Sequence, residues 1–293
     1  MSQIRFLVAP GRRLLMLLLT YVVGLIVTSF AAALLMRMGG DGRMLAMLRI
    51  STVVQDIFLF VLPPLITALI VTRQPVRLLA LAKLPSLQVS LLAVVVMLVS
   101  SPLMTWVIEL NDNVHLPESL AGLEASLRAL ETSAAGAVET LMGPNTTGNL
   151  IINILIVGVL AGFSEELFFR GGLQRLLATT KMSGHVAIWL SAFIFSALHM
   201  QFFGFVPRML LGAFFGYMLM WSGSLWLPIM LHALNNSLFV ILQSATGSGE
   251  FEYGDGQWYY IFLSAILTAI GLYLIYLTCS KQKAEQAQIP SSN

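Results

Sequence analysis

Residues 14–36 read LLMLLLTYVVGLIVTSFAAALLM, a run without a single charged side chain. A bilayer core of about 30 Å is crossed by roughly 20 helical residues, so this run is long enough to span lipid. It is also too long for the apolar core of a signal peptide, and despite Ala31, Ala32 and Ala33 it reads as a retained anchor. Seven more apolar runs follow, bounded by charges, Pro, Gly or polar clusters. They cover about Val53 to Val71, with a kink expected at Pro63 and Pro64, then Leu87 to Ile108, Leu150 to Phe169, Val186 to Met200, Phe203 to Trp221, Leu225 to Leu242 and Tyr259 to Cys279. Trp258, Tyr259 and Tyr260 at the start of the last form the aromatic belt expected where a helix meets headgroups. Composition agrees. The chain is 57% hydrophobic and 10% charged, against about 25% charged in a typical soluble domain, and its mean hydropathy is +0.85. Too few charges remain to cover a water-exposed surface, so a soluble globule is excluded. The expected fold class is all-α, a polytopic membrane protein of about eight transmembrane helices enclosing an intramembrane polar cavity.

A net charge of +2 over 293 residues is too small and too dispersed to imply a nucleic-acid partner. The lone Cys279 excludes an internal disulfide and any multi-thiolate metal site. With a cytoplasmic N-terminus, Arg5, Arg12, Arg13, Arg73, Arg77, Lys83, Arg170, Arg175, Lys181, Lys281 and Lys283 fall inside, eleven of the sixteen basic residues. That satisfies the positive-inside rule, and an even helix count returns the C-terminus to the cytoplasm. Arg37, Arg43 and Arg49 then lie in the first outer loop, where an interfacial stretch is expected. The 111–148 loop is acidic and carries Leu116, Leu120, Leu123, Leu127 and Leu130 at helical spacing, with Pro117 suited to a first turn. It reads as an amphipathic helix on the outer face. Residues 1–149 thus form a three-helix region ending in that loop, 150–242 a polar-cored region, and 243–293 a last helix with a disordered tail from Gln286.

An ionisable side chain at the middle of a membrane helix costs roughly 2.5–3.5 kcal/mol on insertion scales, so those retained carry information. They are Glu165 and Glu166 with Arg170 in the fourth run, His199 in the fifth, and His232 with Asn235 and Asn236 in the seventh. Asp56 reads as an interfacial or capping residue, and the other charges are assigned to loops or tails. Glu166 and Arg170 are four apart, acid first, the favourable order for a pair on one helix face. Glu165 is turned about 100° away and remains free. His232 and Asn236 share a face, as do Phe195 and His199, while Asn235 is turned aside. Gly212 and Gly216 mark a close helix contact. A free carboxylate, two imidazoles and an amide in a low-dielectric pocket suit general acid/base chemistry. Glu165, His199 and His232 are also competent zinc ligands.

Three motifs now stand in order on successive apolar helices. They are E-E-x-x-x-R at Glu165 to Arg170, F-x-x-x-H at Phe195 to His199, and H-x-x-x-N at His232 to Asn236. Together they resemble the CPBP family of intramembrane endopeptidases, named for CAAX prenyl proteases and bacteriocin-processing enzymes and also called the ABI family. The resemblance covers about residues 150–240. It implies hydrolysis of a peptide bond in a peptide or membrane-protein substrate, within lipid, by a glutamate-activated water. By the same resemblance Glu165 is the general base and Glu166 its partner paired to Arg170. His199 orients water or moves protons, and His232 with Asn236 forms the oxyanion side. The metal state stays open. A bacterial inner membrane is the expected location.

Other peptidase chemistries fit poorly. There is no H-E-x-x-H, Met220 stands where a rhomboid-type G-x-S-G needs glycine, and Gly254-Asp255 lies in an acidic loop. A non-catalytic immunity or scaffold protein of the same fold and a proton-coupled transporter remain as alternatives. Straight helices of 1.5 Å per residue leave His199 about 20 Å from the inner face, too far from Glu165. The fifth helix must therefore start deeper, or Gly171 to Gly184 must form a re-entrant or interfacial piece that lowers it. The cavity is expected toward the cytoplasmic leaflet, with Glu165, His199, His232 and Asn236 within about one water of each other.

Overall fold

The computed structural model describes residues 4–38, 42–247, 249 and 258–288. All eight apolar runs are helical, and no strand occurs among the described residues. The membrane-type helices are α1 (Pro10–Met38), α2 (Met44–Val71), α3 (Leu87–Val99) with α4 (Ser101–Asp112), α6 (Thr147–Leu177), α7 (Gly184–Leu198), α8 (Phe205–Ser222), α9 (Trp226–Thr246) and α10 (Trp258–Gln288). The outer-loop helix is α5 (Ala121–Met142). Six of these are long and apolar enough to cross a membrane, and the bent α3–α4 pair makes up to seven. The remaining run, the fifth, is α7 and has only 15 residues. The chain is thus a polytopic all-α membrane protein.

Each departure from a straight helix has a local cause. Helix α3 starts on Ser86, whose hydroxyl accepts from the Val89 N–H at 3.3 Å. It bends by 46° into α4 where Pro102 lacks an N–H and crowds the carbonyl four residues back. Pro63 and Pro64 act differently. They remove two N–H donors from the middle of α2, and the turn before them widens to a π-helix over Asp56–Val61. Helix α2 starts at Met44, well before the expected start at Val53, so Asp56 lies inside the helix. It is 3% exposed, a buried group and neither cap nor interfacial residue. Arg49, also drawn into α2, donates to Asn149 and Asn153 Oδ1, both at 2.9 Å, and anchors the start of α6.

Helix α6 runs to Leu177, beyond the expected end at Phe169, and contains two π-helical stretches, Ile154–Leu160 and Leu167–Gln174. Between them the α-helical turn Ala161–Glu166 carries the acidic pair. Glu165 is consequently near the middle of a long helix. Residues 171–177 continue the helix and are not re-entrant. Helix α7 is capped by Ser183, which accepts from the Val186 N–H at 3.2 Å, and ends at His199 before Met200 turns left-handed at φ 55°. Its 15 residues span about 22 Å, so its last residue stops inside the bundle.

Close approach brings these helices together. A Cβ on Gly162 would lie 2.7 Å from the Ala233 nitrogen and 2.9 Å from its Cα, so α6 and α9 meet at van der Waals contact beside the site. Gly212 and Gly216 of α8 do the same against α7 and α6. Added Cβ atoms would meet Ala192 and Phe195 at 3.2 Å and Ile188 at 2.8 Å. Helix α5 lies on the outside of the bundle without a buried residue, held by Arg128 over the Phe203 ring at 3.9 Å. The C-terminal residues are helical as far as Gln288, which shortens the expected tail. Residues 289–293 and the Gly254-Asp255 loop lie outside the described residues.

Candidate active site

The site is assembled from the centre of α6, the end of α7, the first turns of α8 and the middle of α9. Glu166 is fully buried and Arg170 is 1% exposed, and their side chains pair at 2.7 Å. Arg170 Nη2 also donates to the Gly212 carbonyl at 3.0 Å. Its guanidinium lies among three rings, 4.7 Å from Phe195, 5.5 Å from Phe215 and 5.9 Å from Phe169. Gly212 therefore serves twice, offering a carbonyl to Arg170 and leaving room for its guanidinium. One turn further on, Gln174 donates to the Gly216 carbonyl at 3.1 Å.

The oxygen of Glu166 that accepts from Arg170 also lies 2.8 Å from His232 Nδ1. That oxygen accepts, so Nδ1 carries the hydrogen and Nε2 is left with its lone pair. Nε2 points to Glu165, whose Oε2 is 3.7 Å away. The His232 ring is stacked on Phe215 at 5.0 Å and meets Phe195 edge-on at 6.0 Å. An arginine, a carboxylate and two aromatic rings thus fix one imidazole in one tautomer and one direction. His199 is fixed in the same sense. Its Nδ1 donates to the Phe195 carbonyl at 2.8 Å and its ring meets Phe195 edge-on at 4.9 Å. Both histidines therefore keep Nε2 for the cavity.

That cavity has a volume of about 460 Å³, and Glu165, His199, His232, Asn235 and Asn236 all line it. Asn236 Nδ2 donates to the Val157 carbonyl at 3.2 Å, and Asn235 Nδ2 donates to Asn236 Oδ1 at 3.4 Å. Each amide retains a second N–H. The remaining walls are largely apolar, with Met97, Met104, Ile108, Leu211 and Leu242 among them. Ile108, Gly204, Leu242 and Gly249 lie at the bundle end that carries α5, so the cavity occupies that half. With the 111–148 loop taken as outer, this is the half away from the cytoplasmic one expected from straight helices. The cause is the length of α6, which centres Glu165, together with the early stop of α7, which keeps His199 at depth.

Of the expected residues, Glu165, His199, His232 and Asn236 meet in the cavity, while Glu166 and Arg170 stand behind His232. Asn235, expected to turn aside, lines the cavity as well. Arg208, assigned from sequence to the loops, is a cavity residue. The signal for it was present, because it lies inside the apolar run that starts at Phe203. Asp56 sits behind Glu165, beside Ser164. Glu165, His199 and His232 are the donors a zinc ion would take. Among the described residues, however, no three His, Cys, Asp or Glu side chains are arranged to hold a metal ion. The arrangement does not fit a three-ligand centre.

Comparison with known proteins falls on this same segment. Residues 147–238 match the family described as type II CAAX prenyl endopeptidase, Rce1-like. The uncharacterized protein YpbD of Bacillus subtilis (strain 168) is 29% identical over 93 residues, which is 30% of this chain and 44% of that protein. The chain therefore spans less than half the length of that relative. No solved structure matches.

Proposed function

With residues 147–238 carrying the signature of an Rce1-like CAAX endopeptidase, a protease family, we propose that the chain is an intramembrane endopeptidase with Glu165 as its general base. One observation carries the reading. Glu165 Oε2 and His232 Nε2 are 3.7 Å apart in a 460 Å³ cavity, and the far side of His232 is locked by Glu166 and Arg170. That gap is too long for a direct hydrogen bond and short enough for one water to touch both atoms.

The steps follow from the donors and acceptors. The water gives a proton to Glu165 while its oxygen adds to the carbonyl carbon of the peptide bond. Its second hydrogen is accepted by the lone pair on His232 Nε2, which orients it, while His199 Nε2 faces the same cavity as a further proton acceptor. The free N–H groups of Asn236 and Asn235 donate to the oxyanion that develops on the carbonyl oxygen. Glu165 then hands its proton to the departing amine, the C–N bond breaks, and a carboxylate and an amine are released. Glu166 and Arg170 touch no reacting atom. Their role is to hold His232 in the Nδ1–H tautomer, as an orienting carboxylate does behind many catalytic histidines. A cavity inside an apolar bundle suits a substrate that is itself lipid-embedded. In this reading both termini lie in the cytoplasm of a bacterial cell, on the side that holds most of the Lys and Arg residues, and the cavity faces the extracytoplasmic half of the inner membrane.

The test is cleavage of membrane-embedded reporters by lipid-reconstituted protein, comparing wild type with Glu165→Gln. A folded variant without cleavage supports an enzyme. A non-catalytic immunity or scaffold protein would give no cleavage from either chain and an unchanged binding phenotype.

A further inference from the structure

The cavity wall that α3 and α4 supply lies outside residues 147–238 and holds none of the reacting groups. It contains the break at Pro102, where main-chain groups freed by the bend find side-chain partners. Pro102 offers no N–H to the Leu98 carbonyl, which accepts from the Ser101 hydroxyl at 2.8 Å. The Met97 carbonyl accepts from the Ser100 hydroxyl at 2.8 Å. Ser264 of α10 bridges the rest, donating to the Val99 carbonyl at 2.6 Å and accepting from the Leu103 N–H at 3.2 Å. One hydroxyl on this wall is left over. Threonines within the helices of this chain donate to the carbonyl four residues back, as Thr28, Thr52, Thr132, Thr140 and Thr278 do at 2.7–3.1 Å. Thr105 makes no such bond. Among the described residues its hydroxyl has no hydrogen-bond partner, although Thr105 lines the cavity.

A peptide drawn into this cavity brings main-chain N–H and C=O groups into largely apolar surroundings, and each one left unpaired is costly. The amides of Asn235 and Asn236 serve the carbonyl under attack. Neighbouring carbonyls of the peptide need donors of their own. On the α3–α4 wall the hydroxyl hydrogens of Ser100 and Ser101 are spent on Met97 and Leu98, which leaves Thr105 to supply one. We propose that Thr105 is a binding residue for the substrate main chain, donating to one peptide carbonyl beside the scissile bond and so setting which bond faces Glu165. The assignment rests on the peptidase reading above and adds the main-chain register that Glu165 and His232 do not supply. The ester carbonyl of a phospholipid shares this acceptor chemistry and is the other source of a partner for the hydroxyl.

The experiment uses the full chain in vesicles and a set of reporter peptides of one sequence. Each carries a single main-chain ester in place of an amide flanking the scissile one, because an ester carbonyl accepts a hydrogen bond weakly. Binding to Glu165→Gln is read by fluorescence anisotropy, and KM by cleavage with wild type. With the Thr105 hydroxyl in place, one ester position is expected to weaken binding and raise KM by about 2- to 10-fold, the range for one neutral hydrogen bond. Thr105→Val is expected to abolish that cost at that position alone, and Thr105→Ser, which keeps the hydroxyl, to retain it. Thr105→Ala makes the same comparison if the valine variant fails to fold. A Thr105→Val change that weakens all the peptides equally and leaves the position-specific cost in place would show a packing role and overturn the subsite. A flat set, with no costly position in the presence of the hydroxyl, would overturn it whatever the variants do. An absence of cleavage with the position-specific binding pattern intact would count against the peptidase reading and leave the subsite standing. An effect of Thr105→Val that appears in ester-linked but not in ether-linked phospholipid vesicles, the same for every reporter, would assign the hydroxyl to lipid and overturn the proposal.

Discussion

Replacing Arg170 with Met removes a guanidinium that is 1% exposed and leaves Glu166, fully buried, without its partner at 2.7 Å. Breaking one side of a buried ion pair costs about 3–5 kcal/mol, because the survivor is a charge without compensation, whereas neutralising both sides costs far less. Three further losses belong to Arg170 alone: its bond to the Gly212 carbonyl and its contacts with Phe195 and Phe215. Arg170→Met should therefore lower the melting temperature of the detergent-solubilised protein by on the order of 10 °C. Glu166→Gln, which strands the guanidinium, should fall by a similar amount. The double variant should be distinctly more stable than the sum of the two losses, with a coupling of about 2 kcal/mol or more in a double-mutant cycle. It should still be nearly inactive, because the Glu166→Gln change leaves no carboxylate facing His232 Nδ1 and the imidazole is free to change tautomer. Additive losses, or a double variant with wild-type kcat, would refute the assignment of this pair as the device that holds His232.

Three other outcomes follow from separate features. A Cβ on Gly162 would press on the Ala233 backbone at 2.7–2.9 Å, so Gly162→Ala should cost about 1–3 kcal/mol. By moving Glu165 from His232 it should cut kcat on the order of 100-fold, and an active, unperturbed variant would contradict the close approach of α6 and α9. His232→Gln, which keeps polarity but removes the ring-nitrogen lone pair facing Glu165, should lower kcat far more than it raises KM in reporter cleavage. In the outer loop, the Glu124 carboxyl is lowered from 4.5 to about 2 by the Leu116 N–H, Arg128 and His115. A lowered folded-state value stabilises above the unfolded value, and that stability is lost as pH falls through the folded one. Amide exchange around residues 114–124 should therefore stay protected at pH 5, loosen between pH 4.5 and about 2, and be fast at neutral pH only in Glu124→Gln.

The sequence spoke most clearly where one residue reports its own environment. A charge-free run such as 14–36 has one economical solvent, and the i, i+4 spacing of Glu166 and Arg170 or of Phe195 and His199 reads directly as a shared helix face. Depth was harder to read. The π-helical turns in α2 and α6 add a residue without any local signature, and the apolar pattern does not say that α6 continues to Leu177 or that α7 stops at 15 residues. Those lengths put the cavity in the α5 half. Helix starts are equally silent in the apolar pattern, which made Asp56 look like a cap when α2 had begun at Met44. Asn235 was missed because the cavity takes in more than one face of α9 and so reaches it as well as Asn236, and Arg208 because a charge near a segment end resembles a loop charge. Tertiary contact also adds what the sequence did not carry for His232. Its four-residue spacing from Asn236 gave only a shared face and the resemblance implied an oxyanion side, and only the approach of α6 brings its Nδ1 onto Glu166.

The central claim is that Glu165 is the base that activates water. Its most direct measurement is the single-turnover rate of reporter cleavage by wild type and Glu165→Gln in the same vesicles, with unfolding temperatures recorded for both. The expected result is a loss of about 100- to 10,000-fold, the contribution of a positioned general base, at an unfolding temperature within a few degrees of wild type. Cleavage by folded Glu165→Gln at close to the wild-type rate would contradict it.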